Sequence, residues 1–285
     1  MTTLDKQLAR FSQQSERLDA NRWELALTNG HALTVAARRD EGFLLLDAGT
    51  GVNLTEGRLA PVAERSGELP GAVKFATRRG SRGIRIRAEF PIPEESGPLA
   101  ERIGSHLEGM RNALRQLQDG VSCEPAGEQV ACPEPVSAGQ AASGGLADLL
   151  TEAGWLYHER PGGALLADLE TGGQFLQAEI DRCGAGARFR LTLYHNDAPG
   201  DAARQALCLY LLEANAALRY ARAFLQREGE GIAAGFEVRV GSEPAAAEAG
   251  HALAALSVAG RHCAREMEVL KDSAVAGIYR LARPL

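Results

Sequence analysis

Residues 121–143, VSCEPAGEQVACPEPVSAGQAAS, hold no apolar period of 3.6 or of 2, and their Pro, Gly, Ala, Ser and Glu content reads as a flexible linker. This break divides a chain of 285 residues into blocks 1–120 and 144–285, each long enough to bury a core of its own. Both blocks open with a short helical stretch and a tryptophan, continue through alternating strands, and close in a long amphipathic helix. The expected fold class is α+β: two tandem antiparallel-sheet domains with helices packed on one face of each, able to pair as an internal pseudo-dimer.

A duplicated chain shows identities at a constant spacing. At a shift of 132, Trp23 meets Trp155, Gly30 meets Gly162, Leu33 meets Leu165, Phe43 meets Phe175 and Leu44 meets Leu176. Near the block ends the shift becomes 146, pairing Phe90 with Phe236, Ser96 with Ser242 and Pro98 with Pro244. The difference places 14 extra residues in the second copy. They coincide with a predicted helix over 201–219, which the first copy is expected to lack, because residues 50–70 show no clear period.

In the first block, Leu4, Leu8, Phe11 and Leu18 predict a helix over 3–18. Trp23 to Leu27 and Leu33 to Ala37 alternate around the turn signal Asn29-Gly30, and Val73 to Phe75 with Ile84 to Phe90 predict a second hairpin. Leu99, Ile103, Leu107, Met110, Leu114 and Leu117 form the stripe of the closing helix, with Ser96 and Pro98 at its start and Gly120 at its stop. The second block repeats this order and ends in a helix from Ser242 to about residue 271, with Gly260 and Ala259 in a close-packing seam.

The stretch LLEANAALRYARAFLQREGEGIAAGFEVRV, residues 211–240, ends a helix in an Asn-containing turn around Asn215 and follows it with a hairpin centred on Gly229. In this it resembles the type III secretion chaperone-like superfamily, which takes in effector chaperones and YbjN-like proteins of bacteria. The resemblance covers about residues 144–272 and the first block less well. It implies an α+β domain without an active site or cofactor, acting by holding an extended segment of a client protein.

Composition agrees with a binding protein. The formal charge of -6 gives no excess of cations for nucleic acid, and no apolar run predicts a signal peptide or a membrane span, so a cytoplasmic site is expected. Five scattered cysteines do not make a disulfide framework; Cys123 and Cys132 lack further ligands nearby for zinc, and the six histidines do not cluster. His262 and Cys263 are adjacent on a helix and point about 100° apart, so they do not form a nucleophile and base pair. Leu44 to Gly51 suggests a phosphate-handling enzyme through Asp47-Ala48-Gly49-Thr50-Gly51, against which stands a plain strand-terminating turn. Partner-binding candidates are Phe43, Leu45 and Phe175, apolar residues on strands lacking cover, with Arg78, Arg79, Arg82, Arg85 and Arg87 steering an acidic client. A homo-oligomer, or a scaffold whose apolar faces close on each other, is the remaining alternative.

Overall fold

The computed structural model describes residues 3–27, 33–92, 96–119, 144–171, 173–184, 186–241 and 244–283. The linker with Cys123 and Cys132, the Asn29-Gly30 turn, His31, Gly120 and Ser242 lie outside these residues, as do the side chains of Ser96 and Pro98.

The first half runs α1 (Thr3–Phe11), β1 (Gln14–Arg17), β2 (Arg22–Leu27), β3 (Leu33–Asp40), β4 (Phe43–Asn53), α2 (Glu56–Glu68), β5 (Val73–Thr77), β6 (Gly83–Pro91) and α3 (Ser96–Gln118). The second runs α4 (Gly144–Glu152), β7 (Tyr157–Glu159), β8 (Leu165–Glu170), β9 (Phe175–Cys183), β10 (Gly186–Asn196), α5 (Asp201–Ala217), β11 (Arg222–Glu228), β12 (Gly231–Val240), α6 (Ala246–Val269) and α7 (Ser273–Leu281). The strands form two six-stranded antiparallel sheets, ordered β1-β2-β3-β4-β6-β5 and β7-β8-β9-β10-β12-β11. The α+β class is as expected, and the strand order is the same in both sheets.

Period-2 alternation makes one face of each sheet apolar. Leu25, Val35, Leu46 and Ile86 are buried on the first sheet, and Ala167, Ile180, Phe189 and Phe236 on the second. Helices α1 and α3 cover the first of these faces, and α4 and α6 the second. The stripe from Leu99 to Leu117 is wholly buried. At Gly260 in α6, a Cβ would come within 2.8 Å of Leu176 Cδ1, so the small residues of that seam serve contact with the sheet.

Three expectations are corrected. The first helix stops at Phe11, because residues 14–17 pair with β2 as the edge strand β1, and Leu18 beyond them is exposed. The middle helix is present in the first half as α2. Two glycines and Pro61 weaken its propensity, but Pro61 removes only the bond to the Gly57 carbonyl in the first turn, and burial of Leu59, Val62, Ala63 and Ser66 stabilises the rest. The shift of 132 does not mark corresponding positions either. Trp23 lies in β2, with its indole nitrogen donating to Asp5 at 2.8 Å, whereas Trp155 precedes the edge strand β7. Sheet register instead equates Leu46 with Phe189, a shift of 143.

The halves meet through their middle helices. Helix α2 packs on β11, α5 packs on β5, and α2 packs on α5. Ser66 and Asn215 touch at the centre, Nδ2 of Asn215 donating to Ser66 Oγ at 3.1 Å. Each also caps its own following strand: Ser66 Oγ accepts from Phe75 N at 3.0 Å, and Asn215 Oδ1 from Ala223 N at 2.7 Å. On either side a buried cation reaches the end of the opposite helix. Lys74 Nζ donates to the carbonyls of Leu218 and Ala221 at 2.8 and 2.9 Å, while Arg222 donates to that of Leu69. Leu218 and Leu69 are the C-cap residues of α5 and α2, where unpaired carbonyls attract positive charge.

One histidine carries a prediction for this packing. His106 of α3 stacks on Phe90 at 4.2 Å, with Nδ1 against the Arg102 carbonyl, and burial lowers its pKa from 6.5 to about 4. The unfolded chain therefore takes up a proton that the folded one refuses as pH falls from 6.5 to 4. That window should remove roughly 3 kcal/mol of stability. In His106→Phe, which keeps a ring against Phe90, urea midpoints should change less between pH 7 and 4.5 than in the parent. An unchanged difference would assign the acid sensitivity elsewhere.

Candidate functional site

The apolar strand faces expected to await a client have separate fates. Leu44 and Leu46 point into the first core. Phe43 and Leu45 point the other way and are half-buried, Phe43 lying edge-on to Tyr220 at 5.8 Å and beside His251 at 5.7 Å. Phe175 is 84% exposed, beside Val269 near the far end of α6. His251 and Val269 are 18 residues apart on that helix, roughly 27 Å, so Phe43 and Phe175 do not share a surface.

What Phe43 joins instead is a furrow of about 920 Å³ between the halves. Helix α6 forms one wall with a single stripe, His251, Ala254, Ala255, Val258, His262 and Glu266, running about 22 Å. Helix α5 forms the floor through Ala214, Ala217 and Leu218, and Tyr210 and Tyr279 close one part of it. Ala252, Leu253, Leu256 and Ala259 are buried on the opposite side of α6, which packs there on β10 and β12.

The five arginines of the β5–β6 hairpin also divide. Arg85 donates to Asp47 at 2.8 Å, and Arg87 donates to the carbonyls of Asn215 and Ala216, so both are structural. Arg82 is exposed away from the furrow. Arg78 and Arg79 line it, are exposed, and make no ion pair among the described residues. The other cations there are engaged, Arg219 with Asp40 and Glu41, and Arg283 with Glu213. Tyr279 donates to the same Glu213 at 2.9 Å.

The furrow offers little nucleophilic chemistry. Burial pushes the Cys263 thiol up to about 11, against the lowering effect of its bond with Tyr210. Burial and the neighbouring Cys263 raise the Tyr210 phenol as well. Among the described residues no group of three or more His, Cys, Asp or Glu side chains is placed to hold a metal ion. Nor does Asp47 to Gly51 form a phosphate loop or end the strand. Strand β4 continues to Asn53 through a bulge in its pairing with β6, and Gly51 supplies φ +71 there. Thr50 Oγ1 donates to the Ile84 carbonyl at 2.7 Å, and Asp47 is held by Arg85.

The decisive local feature is the end of α5. Asn215, with no exposed surface, ties the helix to β5 and β11, Tyr220 takes φ 61 in the turn, and the β11–β12 hairpin follows through Gly229. Residues 144–268 match the YbjN family model. That family is described as "Putative bacterial sensory transduction regulator". No curated protein and no solved structure matches the chain. The YbjN match spans α4 to the end of α6, including the α5 and α6 walls of the furrow, and supports a regulatory or binding role. Among the described residues no helix is long and apolar enough to cross a membrane.

Sequence reasoning missed Val258, Ala254, Tyr210 and Tyr279. Ala254 and Val258 fell on what looked like the back of an amphipathic helix, and α7, which carries Tyr279, was not expected at all. Its signal is the Asp272-Ser273 start, where Asp272 accepts from Ala274 N at 2.8 Å and Val275 N at 3.2 Å.

Proposed function

We propose that this chain is a tandemly duplicated, chaperone-like binding protein of the cytoplasm, non-enzymatic, whose seam furrow holds an apolar segment of a client protein. Support for the duplication comes from the common strand order and from the reciprocal contacts of α2 with β11 and α5 with β5. One observation carries the binding reading: the furrow presents Ala254, Ala255 and Val258 of α6, Ala214, Ala217 and Leu218, and Phe43 to the outside, yet opens beside two arginines that make no ion pair among the described residues. A closed scaffold would leave no such surface at its seam. Of the candidates named from the sequence, Phe43, Arg78 and Arg79 belong to this site, and Phe175 and Arg82 do not.

Val258 is 43% exposed, so Val258→Asp places a charge on the furrow wall without entering the core. Binding of fluorescent peptides with apolar anchors and acidic flanks is expected to weaken at least about tenfold in this variant, with thermal unfolding little changed. A variant that binds every peptide as the parent does would refute the furrow as the client site.

A further inference from the structure

From the lining of the furrow we infer that the client segment binds as an amphipathic α-helix with acidic residues on its exposed face. This rests on the client-binding reading above and specifies the conformation and charge of the partner.

A peptide entering an apolar cleft must satisfy its own N–H and C=O groups. An extended segment does so by adding to a free strand edge. The furrow offers none: its strand residue, Phe43, belongs to β4, which is already paired on both sides by β3 and β6. Its walls are helices α5, α6 and α7, whose backbones are internally bonded. The occupant's hydrogen bonds therefore have to be internal, which a helix provides. The dimensions agree, since the stripe from His251 to Glu266 runs about 22 Å, four turns of a partner lying alongside. Ala254 and Ala255 on α6 and Ala214 and Ala217 on α5 let another helix backbone approach closely, as small residues do at helix contacts.

Charge sets the second requirement. Of the furrow's carboxylates, Glu213 is occupied by Arg283 and Tyr279 and Glu266 lies beside Tyr210; Arg219 is held by Asp40 and Glu41, and among the described residues Arg78 and Arg79 have no carboxylate partner. Carboxylates on the outer face of a bound helix would meet them at the mouth, in a site already shielded in part from water.

The test uses the full chain and three peptides of about 15 residues, the helical length of the furrow. The first spaces apolar anchors at i, i+4, i+7 and i+11 with Glu between them; the second rearranges the same residues to strict alternation; the third is the first with Lys for Glu. Anisotropy gives affinity, and the circular dichroism difference on mixing gives helix formed. The helical acidic peptide is expected to bind at least about tenfold more tightly than either other, to gain helix on binding, and to lose that advantage over the Lys peptide in Arg78→Glu/Arg79→Glu. Equal or tighter binding of the alternating peptide, blocked by Ala254→Trp or Val258→Asp, would overturn the helix while leaving client binding in place. If neither substitution weakens any peptide, both readings fall.

Discussion

Replacing Glu237 by leucine is expected to destabilise the protein by about 3–5 kcal/mol and to lower its melting temperature by on the order of 10 °C. Glu237 has no exposed surface and lies among three guanidinium groups. Arg222 donates to it at 2.6 Å, Arg190 at 2.9 Å, and Arg239 lies at 2.9 Å. Burial alone would raise its pKa, but Arg222, Arg239 and Arg190 outweigh that and hold it at about 2. Without the carboxylate, Arg222 remains charged where water cannot reach it. Arg190 and Arg239 are partly exposed and can be rehydrated, so the double variant Arg222→Met/Glu237→Leu should recover much of the loss. Since the folded pKa lies below the ordinary 4.5, this group's contribution is complete above pH 4.5 and disappears as pH falls toward 2. Thermal unfolding at pH 7 and pH 3.5 checks both statements, and a Glu237→Leu variant melting within a degree or two of the parent would exclude the carboxylate as an anchor of the seam.

Lys74→Met is expected to have a similar effect, about 3–5 kcal/mol, from the first half. Lys74 is fully buried, bonds two carbonyls at the end of α5, and lies 3.6 Å from Glu89, whose other described contact is the Tyr220 amide at 3.2 Å. Methionine fills the volume but leaves Glu89 and both carbonyls without a cation. Burial lowers the Lys74 pKa from 10.5 to about 8, with Glu89 opposing the shift. Between these values the unfolded chain holds a proton that the folded chain releases, so the contribution of Lys74 to stability rises with pH. Buried Cys208 and Cys263, raised from 9 to about 12 and about 11, act in the opposite sense as pH rises through 9, in parent and variant alike. Between pH 8 and 9, where both effects act, urea midpoints should change in favour of the parent by roughly 1 kcal/mol relative to Lys74→Met. A gain retained by the variant would assign that titration to another group.

The acidic stability profile divides in the same way: His106 acts between pH 6.5 and 4, and Glu237 below 4.5. The two single substitutions should therefore flatten different parts of one curve.

Local pattern carried much of the architecture. Period-2 runs such as Phe236-Val238-Val240, and the stripe from Leu99 to Leu117, report burial directly, because side-chain direction along a strand or helix follows from backbone geometry. The turn after Asn215 was legible because a buried amide ending a helix leaves a trace in the sequence. Helix α2 was not legible, since Gly57, Pro61 and Gly67 suppress its propensity while contact with β11 and α5 supplies its stability. At Gly67, a Cβ would lie 3.2 Å from the Phe224 Cα of the other half, so a residue that looks like a loop signal is there for a long-range contact.

The amino-acid order by itself determined two α+β halves and the residues of each apolar face, because these depend on spacing over a few turns or strands. Only the tertiary structure decided what the second faces meet. Phe43 lies against Tyr220 and His251, Arg87 ends on the α5 carbonyls, and Arg78 and Arg79 are left at a furrow built by both halves. Those contacts join residues more than 100 positions apart, and their partners are selected by the docking of α2 and α5 across the seam, which no local period records.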